Sequence, residues 1–323
     1  MADDIHLITS GGPSTSPART RRPRRKPFRV GAVQQRWHPD ANEHAEALAS
    51  GIRRAAAAGA ELICLQELTL TRYFAIDPDG PQAAGAEPEI LPGGPTFAFA
   101  ARMAAETGAH VHASLYERAD GDDGLGFNTA IVVAPDGTLV ARTRKLHIPV
   151  TEGYHEDRYF RAGPADDDAF ALVALGDARL GLPTCWDQWF PELARAYSLE
   201  GADVLVYPTA IGSEPDHPQF DTEPLWERVI VGNAIANGLF MVAVNRIGEE
   251  RPPGGGAALT FYGSSFICDP YGRKLVQAPR DEPAVLVADL DLDQREDWLE
   301  LFPFLTTRRP DAYASLTDRA GER

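Results

Sequence analysis

The stretch Arg179-Leu-Gly-Leu-Pro-Thr-Cys185-Trp-Asp-Gln-Trp-Phe-Pro-Glu192 carries the ground plan of the chain: an apolar, strand-like run ends on a thiol and turns into a helix. That helix is read over Pro191-Glu-Leu-Ala-Arg-Ala-Tyr-Ser-Leu-Glu200. Near a helix N-terminus, backbone N–H groups and the helix dipole favour a thiolate and a developing oxyanion, so Cys185 is placed to act as a nucleophile.

Two further strand ends carry charge. Glu61-Leu-Ile-Cys-Leu-Gln-Glu67 closes an aliphatic run on a carboxylate, which is costly to bury without a partner or a task. Thr138-Leu-Val-Ala-Arg-Thr-Arg-Lys145 ends on an ammonium just before Leu146-His-Ile-Pro149. The chain has 31 Lys+Arg residues, yet lysine occurs only at Lys26, Lys145 and Lys274. A compact ammonium and a broad guanidinium fork are not interchangeable in a crowded pocket, so Lys145 reads as chosen for its chemistry.

Working outward, strands are predicted at 28–34, 62–66, 110–117, 128–134, 138–145, 172–175, 179–184, 204–207, 240–245, 260–267, 274–277 and 285–290. Helices are predicted at 42–58, 96–107, 191–200 and 222–237, with a turn at Pro135-Asp-Gly137. Strands alternating with helices imply sheets covered by helices on one face and packed against apolar surface on the other. No distinct linker divides residues 28–313, which read as one domain, and no internal repeat is found.

Composition bounds the function. With 323 residues and 44% apolar content the chain can bury a substantial core, and no run of 18 apolar residues is present to span a membrane. Residues 1–27 hold six basic and two acidic side chains, and with a net charge of -16 overall this leaves the remainder strongly acidic. Such a body repels nucleic acid and anionic membranes and mildly attracts a cationic small molecule, although solubility alone also accounts for it. Residues 1–27 lack an apolar core segment of a secretory signal and read as a disordered basic tail; 314–323 read as a short C-terminal tail. The odd count of three cysteines and the absence of a signal segment fit a reducing cytoplasm, with Cys64 and Cys268 read as small hydrophobes. No Cys-x-x-Cys, His-Glu-x-x-His or P-loop word occurs, and Gly254-Gly-Gly256 lacks the strand-before, helix-after context of a dinucleotide site. No metal and no cofactor is expected.

A Glu, a Lys and a Cys in that order, each ending a strand, resemble the nitrilase superfamily of carbon–nitrogen hydrolases. Leu65-Gln-Glu67, Lys145-Leu-His-Ile-Pro149 and Cys185-Trp-Asp-Gln-Trp-Phe-Pro-Glu192 carry that resemblance. Gly153-Tyr-His-Glu-Asp-Arg-Tyr-Phe160, Tyr207-Pro-Thr-Ala-Ile-Gly-Ser-Glu-Pro215, Asn245-Arg-Ile-Gly248 and Phe261-Tyr-Gly-Ser-Ser-Phe266 look like its N-carbamoylputrescine amidase branch. Leu146, Thr184 and the segment 215–222 depart from the pattern of that branch, which bears on the substrate more than on the reaction.

The resemblance implies an α-β-β-α sandwich, two mixed sheets flanked by helices, and a thiol hydrolase that needs no cofactor. Glu67 would be the base, Cys185 the nucleophile and Lys145, with the Trp186 N–H, the oxyanion donor. Glu117, ending His110-Val-His-Ala-Ser-Leu-Tyr-Glu117, matches a second glutamate that positions the lysine and substrate. The residues alone also allow a structural Glu67–Lys145 pair and a strand-end salt bridge at Glu117.

For substrate, Gln188 and Trp189 stand where relatives acting on N-carbamoyl amino acids place a basic pair. Glu214 is a candidate for holding a terminal ammonium, Tyr73, Tyr154 and Trp186 for walling an aliphatic channel, and His147 for an orienting hydrogen bond. The resemblance therefore implies a small cationic carbamoyl amine, N-carbamoylputrescine or close to it, in polyamine synthesis. Rival readings are an ω-amidase, an N-carbamoyl-β-alanine amidohydrolase and an inactive metabolite-binding scaffold. A homo-oligomer, dimer or larger, is implied, pairing through the helices at 191–200 and 222–237 with the C-terminal tail crossing to a neighbour.

Overall fold

The computed structural model describes residues 5–317 apart from 122 and 167. In chain order its strands are β1 His6–Thr9, β2 Phe28–Gln34, β3 Leu62–Cys64, β4 His110–Glu117, β5 Phe127–Val133, β6 Leu139–Arg144, β7 Val150–Thr151, β8 Tyr154–His155 and β9 Val173–Leu175. They continue as β10 Ala178–Gly181, β11 Val204–Pro208, β12 Phe240–Val244, β13 Ile247–Glu250, β14 Leu259–Tyr262, β15 Phe266–Cys268, β16 Lys274–Gln277 and β17 Ala284–Leu290. The helices are α1 Ala41–Ala57, α2 Pro81–Ala84, α3 Pro95–Thr107, α4 Pro191–Leu199, α5 Glu223–Asn237 and α6 Asp293–Leu301.

Strand order is β1-β17-β2-β3-β4-β5-β6 in one sheet and β16-β15-β12-β11-β10-β9 in the other. Period-two alternation builds the layers. Phe28, Val30 and Ala32 of β2 meet Val204 and Val206 of β11 and Val242 of β12 in a core between the sheets. The intervening Val33, Ile63 and Val111 face outward under α1 and α3, while Leu205, Met241 and Ala243 face α4 and α5. That is the expected four-layer sandwich. Each fully buried Val or Leu contributes about 1.5–3 kcal/mol relative to exposure.

Local chemistry explains where the helices begin and end. Asp40 caps α1, its Oδ1 accepting the N–H groups of Asn42 and Glu43 at 2.9 Å each. Pro95 opens α3, and α5 stops at Gly238, whose φ of 62° is open to glycine without strain.

Three expectations are corrected. The first is the tail. Residues 1–4 and 318–323 lie outside the described residues, but His6–Thr9 adds a parallel strand beside β17. Beyond it Arg19 binds Asp291 and Asp297, Arg21 binds Glu300, and Arg25 binds Asp203 and Asp293. These ion pairs order the basic segment, and they are not legible in the sequence because the acidic α6 lies far along the chain and lacks the apolar stripe that would make it readable as a helix. At the other end, Ala314–Thr317 form a short 3-10 turn.

The second correction splits the strand predicted at 260–267. Gly263 and Ser264 take φ of 60° and 52°, which sends β14 to pair with β13 while β15 joins the main sheet. The third concerns 62–66: the strand ends at Cys64, and Leu65 to Thr69 form a loop held to β4 by Leu65 N–H on His112 O and Thr69 N–H on Ser114 O.

Candidate active site

In both sheets the central strands run parallel, so β3, β6, β10, β11 and β12 all discharge their carboxyl ends at one edge of the sandwich. Glu67 follows β3, Lys145 follows β6, Cys185 follows β10, and Asn245 and Arg246 follow β12.

Glu67 is fully buried. Its Oε1 accepts from Asn128 Nδ2 at 2.7 Å and Lys145 Nζ at 3.0 Å. Its other oxygen, Oε2, is buried with no hydrogen-bond partner among the described residues, the state a carboxylate needs if it is to take a proton from something else. The loop behind it is held by Arg246, whose Nη2 donates to Glu67 O at 2.6 Å and whose Nη1 donates to Glu250 Oε1 at 2.7 Å. Leu68 is bent to a φ of 48° at this clamp.

Lys145 Nζ donates to Glu67 Oε1 and to both Glu156 oxygens, at 2.9 and 2.7 Å. Burial alone would lower the lysine pKa, but the Glu156 and Glu67 charges outweigh it and keep the ammonium protonated. Two carboxylates flank one cation, and burial with the neighbouring Glu67 pushes Glu156 up to about 7, against the pull of Lys145. Tyr73 donates its hydroxyl to Glu156 Oε1 at 2.7 Å.

Cys185 has a φ of 42°, a left-handed conformation strained for a residue with a side chain, and opens a short 3-10 helix, Cys185–Trp189. Strand, sharp turn and helix thus set one buried thiol at a bend. The thiolate expected from the helix is corrected: burial and the Glu67 charge push the Cys185 pKa well up, with Lys145 only partly opposing them, so the resting sulfur is a neutral thiol. The longer helix, α4, begins only at Pro191.

Asp187 ties the Cys185 turn to the segment that follows Lys145. Its Oδ2 accepts the Thr184 N–H at 3.0 Å, and its Oδ1 accepts the N–H of His147 at 3.0 Å and lies 2.7 Å from His147 Nδ1. His147, stacked on Phe190 at 3.5 Å, braces the two loops through this bond. Gln188 is pinned to α5 by Trp226 Nε1 at 2.8 Å.

Glu117 is corrected outright. Its oxygens take Arg144 Nη2 at 2.7 Å, Arg144 Nε at 3.0 Å and Thr129 Oγ1 at 2.7 Å, and it makes no bond to Lys145. The strand-end salt bridge is what the structure contains, and these partners hold the carboxyl below its usual range despite burial. The position beside the lysine belongs to Glu156, inside the word Gly153-Tyr-His-Glu-Asp-Arg. A carboxylate set among aromatic residues was the available signal.

The other candidates gather around this centre. The Tyr73 and Tyr154 rings lie 5.9 Å apart, and Tyr154 accepts the Gly212 N–H at 2.8 Å. Burial pushes the Tyr154 phenol well up, and the Glu214 charge adds to it. Glu214 is half-buried, accepts Thr222 Oγ1 at 3.2 Å, and has its pKa raised by burial. Trp186 is partly exposed, edge-on to Trp189. Among the described residues no group of three or more His, Cys, Asp or Glu is arranged to hold a metal ion. A neutral thiol, an acceptor carboxylate oxygen and a permanent buried cation together suit acyl transfer through sulfur.

Fold and site together define a hydrolase of carbon–nitrogen bonds in amide-like groups. A family model described as carbon–nitrogen hydrolase matches residues 29–300, and the chain belongs to that family, within the nitrilase superfamily and its N-carbamoylputrescine amidase branch. The chain is 38% identical over 289 residues to an N-carbamoylputrescine amidase of Solanum lycopersicum, covering 89% of this chain and 94% of that one. It is 34% identical over 286 residues to a citrullinase of Francisella tularensis, covering 88% and 96%. A carbon–nitrogen hydrolase from Helicobacter pylori G27 superposes with a TM-score of 0.79 at 32% identity, over 91% of this chain and 99% of that one.

Proposed function

We propose that this chain hydrolyses the ureido group of N-carbamoylputrescine, or a close N-carbamoyl amine, to amine, ammonia and carbon dioxide, as a step of polyamine synthesis. The observation that carries the reading is the unpartnered Oε2 of Glu67 in a buried cluster with Lys145 and Cys185. Glu67 takes the thiol proton as sulfur attacks the ureido carbon. Lys145 holds the oxyanion of the tetrahedral adduct, and Glu67 returns the proton to the departing nitrogen, releasing ammonia. Water, deprotonated by the same carboxylate, then adds to the thiocarbamate carbon. The C–S bond breaks, the thiol regains a proton, and the carbamic acid released separates into amine and carbon dioxide.

Two features support a cationic amine. Gln188 is buried against Trp226 and supplies no charge for a carboxylate. Glu214, after β11, is a half-buried carboxyl whose charge acts on the Tyr154 phenol of the aromatic wall. The N-carbamoylputrescine amidase relatives agree with this chemistry. The citrullinase relative favours a second reading, a ureido amino acid. Ammonia release across carbamoyl amines, carbamoyl amino acids and simple amides, with Cys185→Ala as blank, tests the proposal. Turnover of carbamoylputrescine well above all others is expected, and equal turnover of a carbamoyl amino acid overturns the amine assignment.

A cytoplasmic setting and a homo-oligomer belong to the same proposal. Cys64, Cys185 and Cys268 are all unpaired thiols, and Leu199, Leu225 and Ile235 leave apolar area open on the outer faces of α4 and α5. Among the described residues no helix is long and apolar enough to cross a membrane.

A further inference from the structure

Strand β5 lies between β4, which holds the loop carrying Glu67, and β6, which runs into Lys145. Asn128, its second residue, is fully buried and bonded to both sides. Its backbone carbonyl accepts the Lys145 N–H at 2.8 Å, and its side-chain Nδ2 donates to Glu67 Oε1 at 2.7 Å. One residue thus holds the lysine by its main chain and the carboxylate of the base by its side chain.

The direction of the amide is set from behind. Ser114 Oγ, on β4, donates to Asn128 Oδ1 at 3.3 Å and itself accepts the Leu68 N–H at 3.1 Å. With Oδ1 taken up by the serine, Nδ2 is the end turned to Glu67. The Ser114 N–H goes to Thr69 Oγ1 at 2.9 Å, and that hydroxyl donates to Gln66 O at 2.8 Å, so β4 grips the backbone on either side of Glu67.

A glutamate acting as a base needs such a guide. The last torsion of its side chain is broad and roughly two-fold, so packing of the stem alone does not decide which oxygen faces the thiol. Lys145 also reaches Oε1, but from a flexible four-carbon stem whose other bonds go to Glu156. The planar amide, seated on a strand, is the rigid donor. Together the two donors occupy Oε1 and leave Oε2, which has no hydrogen-bond partner among the described residues, as the oxygen open to the Cys185 proton.

We propose that Asn128 is the positioning residue of the base: with its orientation fixed by Ser114, it turns the Glu67 carboxylate so that Oε2 is presented to the thiol. It acts through Glu67 rather than on the substrate. The inference rests on Glu67 serving as base in the reaction above and adds the side chain that aims it.

The test is a double-mutant cycle between Asn128→Leu and Glu67→Gln. It is read by the rate at which iodoacetamide alkylates Cys185 at pH 7, followed by peptide mass, and by kcat and KM for ammonia release from carbamoylputrescine. With Glu67 present, Asn128→Leu slows alkylation and kcat by about 10- to 100-fold and leaves KM within about twofold, the scale of a charge-assisted hydrogen bond that aligns a reacting group. In the Glu67→Gln background it changes alkylation by less than about threefold. An asparagine with a structural role alone slows both backgrounds alike; that outcome, or a loss under about threefold with Glu67 present, overturns the assignment. Should thermal melts show that Asn128→Leu does not fold, Ser114→Ala keeps the donor and removes what orients it. A loss of about 3- to 10-fold confined to enzyme with Glu67 then supports the assignment, and no loss, or an equal loss in both backgrounds, overturns it. Alkylation uses no ureido compound, so an enzyme that shows the coupling but releases no ammonia from carbamoylputrescine overturns the ureido reading alone.

Discussion

The ammonium of Lys145 sits 2.7 Å from Glu156 Oε2 and 3.0 Å from Glu67 Oε1, one buried cation shared by two buried carboxylates. The two acids divide the work. Glu156 has both oxygens on the lysine and one also on Tyr73, so it fixes the ammonium; Glu67 keeps Oε2 unpartnered, so it can accept a proton.

Lys145→Arg lowers kcat by about 100- to 1000-fold, the usual cost of losing an oxyanion donor. Charge is conserved, but a guanidinium does not fit where three bonds of 2.7–3.0 Å converge on one nitrogen at zero side-chain exposure. Steady-state ammonia release reads it, and near-wild-type kcat would remove the lysine from the chemistry.

Glu156→Gln and Glu117→Gln part company. The first lowers kcat at least tenfold by loosening Lys145, while the second leaves kcat within about threefold and costs roughly 1–3 kcal/mol by unpairing Arg144. Kinetics and thermal melts on both variants check this, and equal kinetic damage would restore Glu117 to the site.

The raised pKa of Glu156 has a pH consequence. A carboxyl near 7 in the folded protein and about 4.5 unfolded contributes stability that is fully present below 4.5 and is lost as pH rises through 7. Melting temperatures from pH 5 to 8 therefore fall more steeply for the wild type than for Glu156→Gln. Parallel curves would show that the group does not titrate there.

Because the Cys185 thiol is neutral at rest, its alkylation by a small uncharged reagent in a Glu67→Gln background stays slow through neutral pH and climbs only above about pH 9. A plateau of fast labelling at pH 6–7 would indicate a standing thiolate.

Arg246→Met costs about 3–5 kcal/mol, since Glu250 is left as a buried, uncompensated charge and the carbonyl of Glu67 loses its donor. Chemical denaturation measures the loss. A variant as stable as the wild type would mean that this clamp is not structural.

How much was legible follows from distance along the chain. Strand 110–117 and the helix at 191–200 were readable because period-two and period-3.6 patterns are local, and Glu67, Lys145 and Cys185 because each ends such a run. Glu156 was missed, and Glu117 chosen, because both are carboxylates near the right strands and only packing brings Glu156 against Nζ. The basic tail was misread for the same reason: Arg19 and Arg25 gain partners on α6, Asp297 and Asp293, that lie 278 and 268 residues later.

Local periodicity and residue type, then, determined most strands and helices and put Glu67, Lys145 and Cys185 at or just past strand ends, because these depend on neighbours within a turn or a strand, while the sandwich itself came from the resemblance of the words around them. Tertiary structure decided which carboxylate holds the lysine and that the thiol rests protonated. Those are matters of burial and of charge across space, set by which distant segments share one low-dielectric volume.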